Sequence, residues 1–267
     1  MRMTPIITLT TDFGLEDEYV GVMKGIILSR APAAGIIDLT HLVPPQDINR
    51  AAMLIKSAAP NFPEHSIHVI VVDPGVGTKR RIILLKDQNQ LFLAPDNGVL
   101  TLLYNDNCQA YTVTNKNLFL NQIGNTFHGR DIFAPVAAAL ATGLNPADVG
   151  PKIAVKKLIS LPWPEITISK TEIQGQVVYI DHFGNLITNI HFKLLPPIFQ
   201  NNLSKLNLSC KGHLIKKINS CYEDGKETQL MALFNSNDYL EISLKNGNAA
   251  QQLDSNGLDE VKICLSK

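Results

Sequence analysis

The sequence predicts an α/β N-terminal domain with a mostly parallel central sheet, followed by an all-β C-terminal domain folded as a small antiparallel barrel. Up to about residue 150, strand-like runs alternate with helix-like segments, which is the order expected of βαβ units. Beyond the proline-bearing stretch at residues 161–164, short alternating strands follow one another, separated by turn residues. We place the α/β domain at residues 1–158 and the β domain at residues 159–267.

In the α/β domain, the run at residues 67–72 is almost wholly apolar, as expected of a strand covered by helices on both faces. Asp47 is of a residue type that favours a helix N-cap. The predicted strands lie at residues 6–10, 35–39, 67–72, 82–85 and 91–94. The predicted helices lie at residues 18–30, 47–59, near 99–104, and from residue 129 onward, where the helix is rich in alanine.

The β domain is predicted from apolar residues that alternate with polar ones over short runs. Glycine-bearing turns such as Lys245-Asn246-Gly247-Asn248 separate the runs. The predicted strands lie at residues 175–180, 186–190, 203–208, 228–234, 239–244 and 261–265.

Composition narrows the functions that the chain can have. With 24 Lys+Arg against 24 Asp+Glu, the formal charge of zero provides no long-range field for nucleic acid or an anionic membrane. No apolar stretch approaches the roughly 18 residues of a membrane span, and the N-terminus does not resemble a signal peptide. Cys210, His213 and Cys221 lack a fourth zinc ligand at useful spacing. We therefore expect a cytoplasmic protein with reduced cysteines, no metal and no cofactor.

Polar residues concentrate at three places that the pattern puts at strand ends, where open α/β sheets bind their ligands. The first is Asp12-Phe13-Gly14 with Asp17, and the second is Asp73-Pro74-Gly75-Val76-Gly77-Thr78 with Arg80. The third is Phe127-His128-Gly129-Arg130-Asp131. Each run alone is more often a turn, a helix cap or a hydrogen-bonded structural histidine than a functional site. Their joint placement at strand ends favours a functional site.

The residue types at these places suit the handling of a water molecule better than that of a phosphate. Gly75-Val76-Gly77 lacks the third glycine of a dinucleotide loop, and no Gly-Lys-Ser/Thr follows it. Asp73 and His128 could orient a water, with Arg80 stabilising the negative charge that develops on it. Because Arg80 stays protonated near neutrality, the proton of that water would pass to Asp73, His128 or solvent.

Six runs, in consistent order from about residue 5 to the C-terminus, carry a resemblance to one family. They are Thr11-Asp12-Phe13-Gly14, Asp73-Pro74-Gly75-Val76-Gly77-Thr78 with Arg80-Arg81, Ala94-Pro95-Asp96-Asn97-Gly98, Phe127-His128-Gly129-Arg130-Asp131, Asp181-His182-Phe183-Gly184-Asn185 with Thr188-Asn189-Ile190, and Asn246-Gly247-Asn248-Ala249. These motifs resemble those of the S-adenosyl-L-methionine hydroxide adenosyltransferases, which are relatives of fluorinase and chlorinase.

The resemblance implies that water or hydroxide attacks the ribose C5′ of S-adenosyl-L-methionine and releases adenosine and L-methionine. It implies a water-holding trio of Asp73, Arg80 and His128, in which Arg80 is preferred to Arg81 for its seven-residue spacing from Asp73. The halogenases carry Tyr in place of Asp73 and of His128, Ser in place of Gly129, and a longer insertion before the Ala-Pro-Asn-Asn-Gly-like turn. The chain therefore falls with the hydrolases.

The resemblance also implies binding residues and an assembly. Asp12, supported by Asp17, would accept hydrogen bonds from both ribose hydroxyls, and Phe127 and Gly129 would bind substrate beside the trio. The implied binding residues of the second domain are Asp181, Phe183, Asn185, Ser236, Asn237 and Ala249. Phe183 and Asn185 would hold the adenine with the backbone at Ala249, and Asp181 would accept from the methionine ammonium.

Ser236 would contact the methionine carboxylate, beside Asn237, which stands where the halogenases have Arg. The family is a homotrimer whose site lies between the first domain of one subunit and the second domain of its neighbour, and the same is expected here.

Two other functions stay open. A metal-dependent phosphoesterase would use Asp12, Asp17, Asp73, His41 and His128, since such sites are built from carboxylates and imidazoles at strand ends. A non-catalytic sensor of adenosyl ligands would share the pocket and keep the trio for structure. We prefer hydrolysis because the trio has no evident packing role, and adenosine release that survives a chelator would exclude the phosphoesterase.

Overall fold

The computed structural model describes residues 4–265. The chain divides into two compact units, of which unit 1 ends at Leu161 and unit 2 begins at Pro162. Ile159 and Leu161 are held by unit 1, because the Ile159 N–H donates to Asp96 Oδ1 (2.9 Å) and the Leu161 N–H to Thr101 Oγ1 (2.9 Å). Within residues 4–265, every helix is too short or too polar to cross a bilayer.

Unit 1 is built on a seven-stranded mixed sheet. Its strands are β1 (Ile6–Thr11), β2 (Gly35–Thr40), β3 (Ile67–Val71), β4 (Ile82–Asp87), β5 (Gln90–Pro95), β6 (Gln109–Thr112) and β7 (Lys152–Ile153). The order across the sheet is β2-β1-β3-β5-β4-β6-β7, with parallel pairing from β2 to β5 and antiparallel pairing from β5 to β7. Since β6 points the same way as β5, most strands share one direction, which confirms the predicted class.

Helices cover both faces of this sheet. They are α1 (Tyr19–Arg30), α2 (Ile48–Ala58) and α3 (Ala134–Ala141), the last preceded by a π-helical segment, Gly129–Phe133. Val69 and Val71 of β3 belong to the core under α1 and α3, whereas Ile70 and Val72 pack in the core under α2. The apolar run at residues 67–72 is thus buried on both faces, as predicted. Asp47 caps α2 by accepting from the Arg50 N–H at 2.9 Å.

Unit 2 is a mostly antiparallel sheet, with one parallel pair of strands, that curls into a nearly closed barrel. Its strands are β8 (Thr167–Ile168), β9 (Glu172–Ile180), β10 (Leu186–His191), β11 (Leu206–Cys210), β12 (His213–Ile215), β13 (Ile218–Asn219), β14 (Leu230–Phe234), β15 (Tyr239–Leu244) and β16 (Glu260–Leu265). The order is β12-β11-β16-β9-β10-β15-β14-β13, with β8 paired to β9, and the edge strand β12 approaches β14. Two short helices, α4 (Pro197–Gln200) and α5 (Ala249–Leu253), complete the unit.

The prediction of the fold was inaccurate in two respects. The strand expected at residues 203–208 begins as a 3-10 turn, Leu203–Lys205, and the strand itself is β11. The short strands β6, β7, β8, β12 and β13 were not predicted, because runs of two to four residues carry too little alternation to detect.

His68, in the middle of β3, makes the stability of unit 1 depend on pH. The residue is 0% exposed, its ring stacks on Phe92 at 4.8 Å, and its Nδ1 lies 2.8 Å from Thr8 Oγ1. Burial lowers its pKa to about 4. An unfolded histidine titrates near pH 6.5, so between pH 6.5 and 4 the unfolded chain binds a proton at His68 that the folded chain does not bind. The free energy of unfolding therefore has its full value above pH 6.5 and is about 3 kcal/mol lower near pH 4.

We expect urea unfolding of the His68→Gln variant to depend less on pH over this range than unfolding of the wild type. The exposed His213 provides the control, since His213→Gln should leave the wild-type pH dependence unchanged. An identical pH dependence in wild type and the His68→Gln variant would exclude His68 as its source.

Candidate active site

A pocket of about 270 Å³ lies at the carboxyl ends of β1 and β3 in unit 1. Its lining consists of Asp12, Phe13, Gln46, Val71, Asp73, Pro74, Val76, Thr126, Phe127, His128 and Gly129. A larger cavity of about 780 Å³ lies at the opposite ends of these strands and is mainly apolar. We assign the site to the smaller pocket, because the polar residues of all three predicted clusters converge there.

The third cluster reaches the pocket by a route that was predicted wrongly. Phe127 and His128 do not follow a strand; they precede the π-helical segment that leads into α3. Asp131, which is 0% exposed, accepts from the Gly124 N–H (2.7 Å) and from Arg130 Nε (2.7 Å). Asp131 therefore anchors the preceding loop, and the packing of α3 on the sheet brings that loop to the strand ends.

Asp73, Arg80 and His128 form one connected group. Arg80 Nε lies 3.0 Å from Asp73 Oδ1 and 2.9 Å from Oδ2, and Arg80 Nη2 lies 2.5 Å from Oδ2. The same Nη2 lies 2.8 Å from His128 Nδ1. The Asp73 and Arg80 side chains are only 4% and 10% exposed. The structure thus brings together the trio that the sequence predicted.

The contact with Arg80 determines the protonation of His128. A guanidinium can only donate, so Nδ1 of His128 must accept and the neutral ring carries its hydrogen on Nε2. Burial, and then the positive charge of Arg80, lower the pKa of His128 below its usual value. The imidazole is therefore neutral near pH 7 and can donate through Nε2.

The glycine-rich turn after Asp73 has a packing function. Gly77 adopts a left-handed φ of 77°, and a Cβ there would collide with the carbonyl oxygen of Asn125. Only glycine allows this approach. The turn consequently lies against the loop that carries His128, which explains Gly77 without a phosphate ligand.

Asp12 is held at the pocket by its neighbours. Its Oδ2 accepts from the Gln46 N–H at 2.8 Å. The preceding Thr11 pairs through Oγ1 with His41 Nδ1 (2.9 Å), and the Gly14 N–H donates to the His41 carbonyl (2.8 Å). Sequence reasoning missed Gln46, whose only signal was the turn-forming Pro-Pro pair before it.

Asp17 is exposed on the surface and does not line the pocket. The structure therefore does not bring it to Asp12, although both were predicted for one loop. The residues between them lead away from the strand end into α1.

In unit 2, the turn between β9 and β10 gathers a second set of predicted residues. Asp181 Oδ1 accepts from the N–H groups of Phe183 and Asn185, and Oδ2 accepts from Asn185 Nδ2, all at 2.9 Å. Phe183 is 72% exposed. The Gly184 carbonyl accepts from the Ala250 N–H at 2.9 Å, which places Ala249, at the start of α5, beside the turn.

Ser236 and Asn237 lie elsewhere in unit 2. Their turn precedes β15, and the register of β10 with β15 puts it beyond His191, whereas the Asp181 turn precedes Leu186. The six residues of β10 span about 17 Å. The Asp181 turn and the Ser236 turn therefore lie at opposite ends of β10. The contacts of Asp181 with the methionine ammonium and of Ser236 with the methionine carboxylate stay predictions.

The part of the chain that the structure describes contains no cluster of side chains arranged as metal ligands. No group of three or more His, Cys, Asp or Glu side chains among residues 4–265 is arranged to hold a metal ion. Of the five residues that a phosphoesterase would use, Asp73 and His128 are both engaged by Arg80, and His41 is engaged by Thr11.

Comparisons with known proteins cover both units. Residues 7–150 match the SAM hydroxide adenosyltransferase N-terminal domain, and residues 175–262 match the SAM hydroxide adenosyltransferase C-terminal domain. The chain belongs to the SAM hydroxide adenosyltransferase family. The resemblance drawn from the motifs is thereby confirmed.

The similarity to known relatives covers most of the length of this SAM hydroxide adenosyltransferase. It is 34% identical over 266 residues to the (R)-S-adenosyl-L-methionine hydrolase of Salinispora tropica, covering 98% of this chain and 99% of that protein. It is 29% identical over 238 residues to a fluorinase of Nocardia brasiliensis, covering 79% of each. The crystal structure of an uncharacterized conserved protein from Thermotoga maritima matches with a TM-score of 0.89 at 35% identity, covering 97% of this chain and 99% of that one.

Proposed function

We propose that this SAM hydroxide adenosyltransferase hydrolyses S-adenosyl-L-methionine to adenosine and L-methionine, with water or hydroxide attacking the ribose C5′. The observation that carries the proposal is the buried Asp73–Arg80 ion pair, extended to His128. Asp73 and His128 line the unit 1 pocket, and Arg80 joins them. The Salinispora tropica relative is named as an (R)-S-adenosyl-L-methionine hydrolase, which supports the same reaction.

The residues of the trio can meet the main requirements of this reaction. A sulfonium leaves as a neutral thioether, so the leaving group needs no general acid. The protein has to place a water in line with the carbon–sulfur bond and remove part of its hydration. A guanidinium held on two sides, by Asp73 and by His128, is a pre-oriented donor for that water.

The proton of the attacking water goes to Asp73 in this proposal. Arg80 stays protonated, and neutral His128 carries hydrogen on Nε2, so His128 donates to the water and does not accept from it. Asp73 is then the one member of the trio that can accept a proton. We propose that it does so late, when the bond from oxygen to C5′ has largely formed and the water has become acidic.

Binding is assigned to both units. In unit 1, Asp12 takes the two ribose hydroxyls, and Phe127 and Gly129 line the same pocket. In unit 2, Phe183 stacks on the adenine, supported by its exposed ring, with Asn185 and the backbone at Ala249 at the edge of the base. Because Asn185 Nδ2 is engaged by Asp181, its Oδ1 is the atom that accepts from the adenine amino group. Asp17, Ser236 and Asn237 are left out of the proposal.

The proposal also includes a homotrimer, no cofactor and a cytoplasmic location. A homotrimer would bury the exposed ring of Phe183 and would let residues of unit 1 and unit 2 bind one ligand. Four cysteines without a disulfide are the usual state of proteins in a reducing compartment.

The test is to incubate the enzyme with S-adenosyl-L-methionine in ¹⁸O-labelled water, in the presence of a chelator, and to analyse the products. We expect label in the 5′ hydroxyl of adenosine, because the nucleophile is water. Release of phosphate from nucleotides that stops on chelation would support a phosphoesterase instead. Binding of the ligand without any product would identify a sensor.

A further inference from the structure

The turn that precedes α2 contains a backbone conformation unusual for its residue. The Asp47 N–H donates to the Pro44 carbonyl at 2.9 Å, and Gln46, third in the turn, has a φ of 66°. This is the pattern of a type II turn, with proline at its second position and a left-handed residue at its third. Glycine normally occupies that third position, because a side chain disfavours the left-handed region.

The conformation of Gln46 has a direct consequence at the active site. Its N–H donates to Asp12 Oδ2 at 2.8 Å, and Gln46 itself lines the pocket together with Asp12, Asp73 and His128. Strained backbone that contacts a functional side chain is a reason to look for a functional role. Without the left-handed third residue, the N–H of this turn would rotate away from the carboxylate.

We propose that Gln46 is a positioning residue, whose left-handed backbone aims the carboxylate of Asp12 at the two ribose hydroxyls. The N–H of Gln46 fixes one oxygen of Asp12 from the α2 side, so the carboxylate is oriented before the ligand arrives. This inference rests on the proposed ribose contact of Asp12. It assigns the effect to the main chain of Gln46 and not to its side chain.

Three substitutions at this position separate main chain from side chain. Gln46→Gly removes the side chain but retains the N–H and favours the left-handed conformation. Gln46→Ala removes the side chain beyond Cβ at about the same backbone cost as glutamine, and Gln46→Val, which is β-branched, disfavours the left-handed conformation most. We expect the Gly and Ala variants to bind adenosine within about threefold of wild type, and the Val variant to bind it at least about tenfold more weakly.

The ligand for the control is 2′,3′-dideoxyadenosine, which lacks the hydroxyls that Asp12 would bind. Its affinity should be the same in all four proteins, because it lacks the groups that the Asp12 carboxylate would bind. Isothermal titration calorimetry on the full-length protein measures both affinities, and thermal unfolding shows whether each variant is folded. If the Val variant does not fold, the comparison of the Gly and Ala variants with the wild type still tests the proposal.

A Gly variant that loses as much affinity as the Val variant would overturn the proposal, because the side chain would then carry the effect. Where the Val variant is unfolded, a loss of about tenfold in both the Gly and the Ala variant would overturn it for the same reason. A folded Val variant that binds adenosine like the wild type would overturn it as well. Failure of the proposed function is recognised separately, since it would appear in the wild type as equal affinity for adenosine and its dideoxy analogue.

Discussion

Replacement of Asp73 by asparagine is expected to lower kcat for adenosine formation by about 10²–10⁴-fold, which is the usual contribution of a positioned proton acceptor. Asparagine has nearly the shape of aspartate, but its amide cannot take the proton of the attacking water. It also removes the charge that fixes Arg80, whose three contacts with Asp73 range from 2.5 to 3.0 Å. The affinity for S-adenosyl-L-methionine should change much less, because Asp73 is assigned to the water and not to the substrate.

Asp96→Asn is a control for the loss of an ion pair made by a buried carboxylate. Asp96 is 0% exposed in its side chain and pairs with Arg81 at 2.5 Å, yet it does not line the pocket. Breaking the buried Asp73–Arg80 pair costs about 3–5 kcal/mol of stability, and breaking the Asp96 pair costs less, because Arg81 is 39% exposed. We expect both variants to unfold at lower temperature and only Asp73→Asn to lose turnover. Equal kcat values for Asp73→Asn and wild type would remove Asp73 from the mechanism.

Much of unit 1 was predictable from local sequence. Strand β3 is buried at every position, and all of its residues except His68 are apolar, as expected of a strand covered on both faces. Asp47 could be predicted as the cap of α2 because its side chain needs only a backbone N–H three residues away. Asp12 and Asp73 were correctly placed at strand ends, because Asp12 directly follows the run rich in β-branched residues in β1 and Asp73 directly follows the apolar run at residues 67–72.

Contacts and placements that depend on long-range packing could not be predicted from the sequence. The fit of Gly77 against Asn125 and the route of His128 through the π-helical segment join segments that are distant along the chain. The separation of Ser236 from Asp181 follows from the register of β10 with β15, which motif order does not contain. The left-handed φ of Gln46 occurs at the third position of a type II turn, where glycine is the usual residue, so no sequence rule pointed to Gln46.

Replacement of Asp12 by alanine is expected to weaken adenosine binding by about 100-fold or more. A carboxylate that accepts from two vicinal hydroxyls makes two charge-assisted hydrogen bonds, each worth about 1.5–3 kcal/mol. The kcat at saturating S-adenosyl-L-methionine should fall far less than the apparent affinity, because Asp12 does not belong to the connected group of Asp73, Arg80 and His128. Adenosine affinity by calorimetry, and KM for S-adenosyl-L-methionine, measure the two effects.

Comparison of ligands decides whether the loss belongs to the ribose. In the wild type, 2′,3′-dideoxyadenosine should bind much more weakly than adenosine, since a site built to hold hydroxyls rejects the analogue that lacks them. In the Asp12→Ala variant the two ligands should bind almost equally, so the variant and the analogue lose the same interaction and their effects do not add. Asp17→Ala is the control, because Asp17 is exposed and outside the pocket, and it should behave as the wild type. If Asp12→Ala instead weakened both ligands by the same factor, Asp12 would act on the shape of the pocket. The ribose hydroxyls would then need another partner.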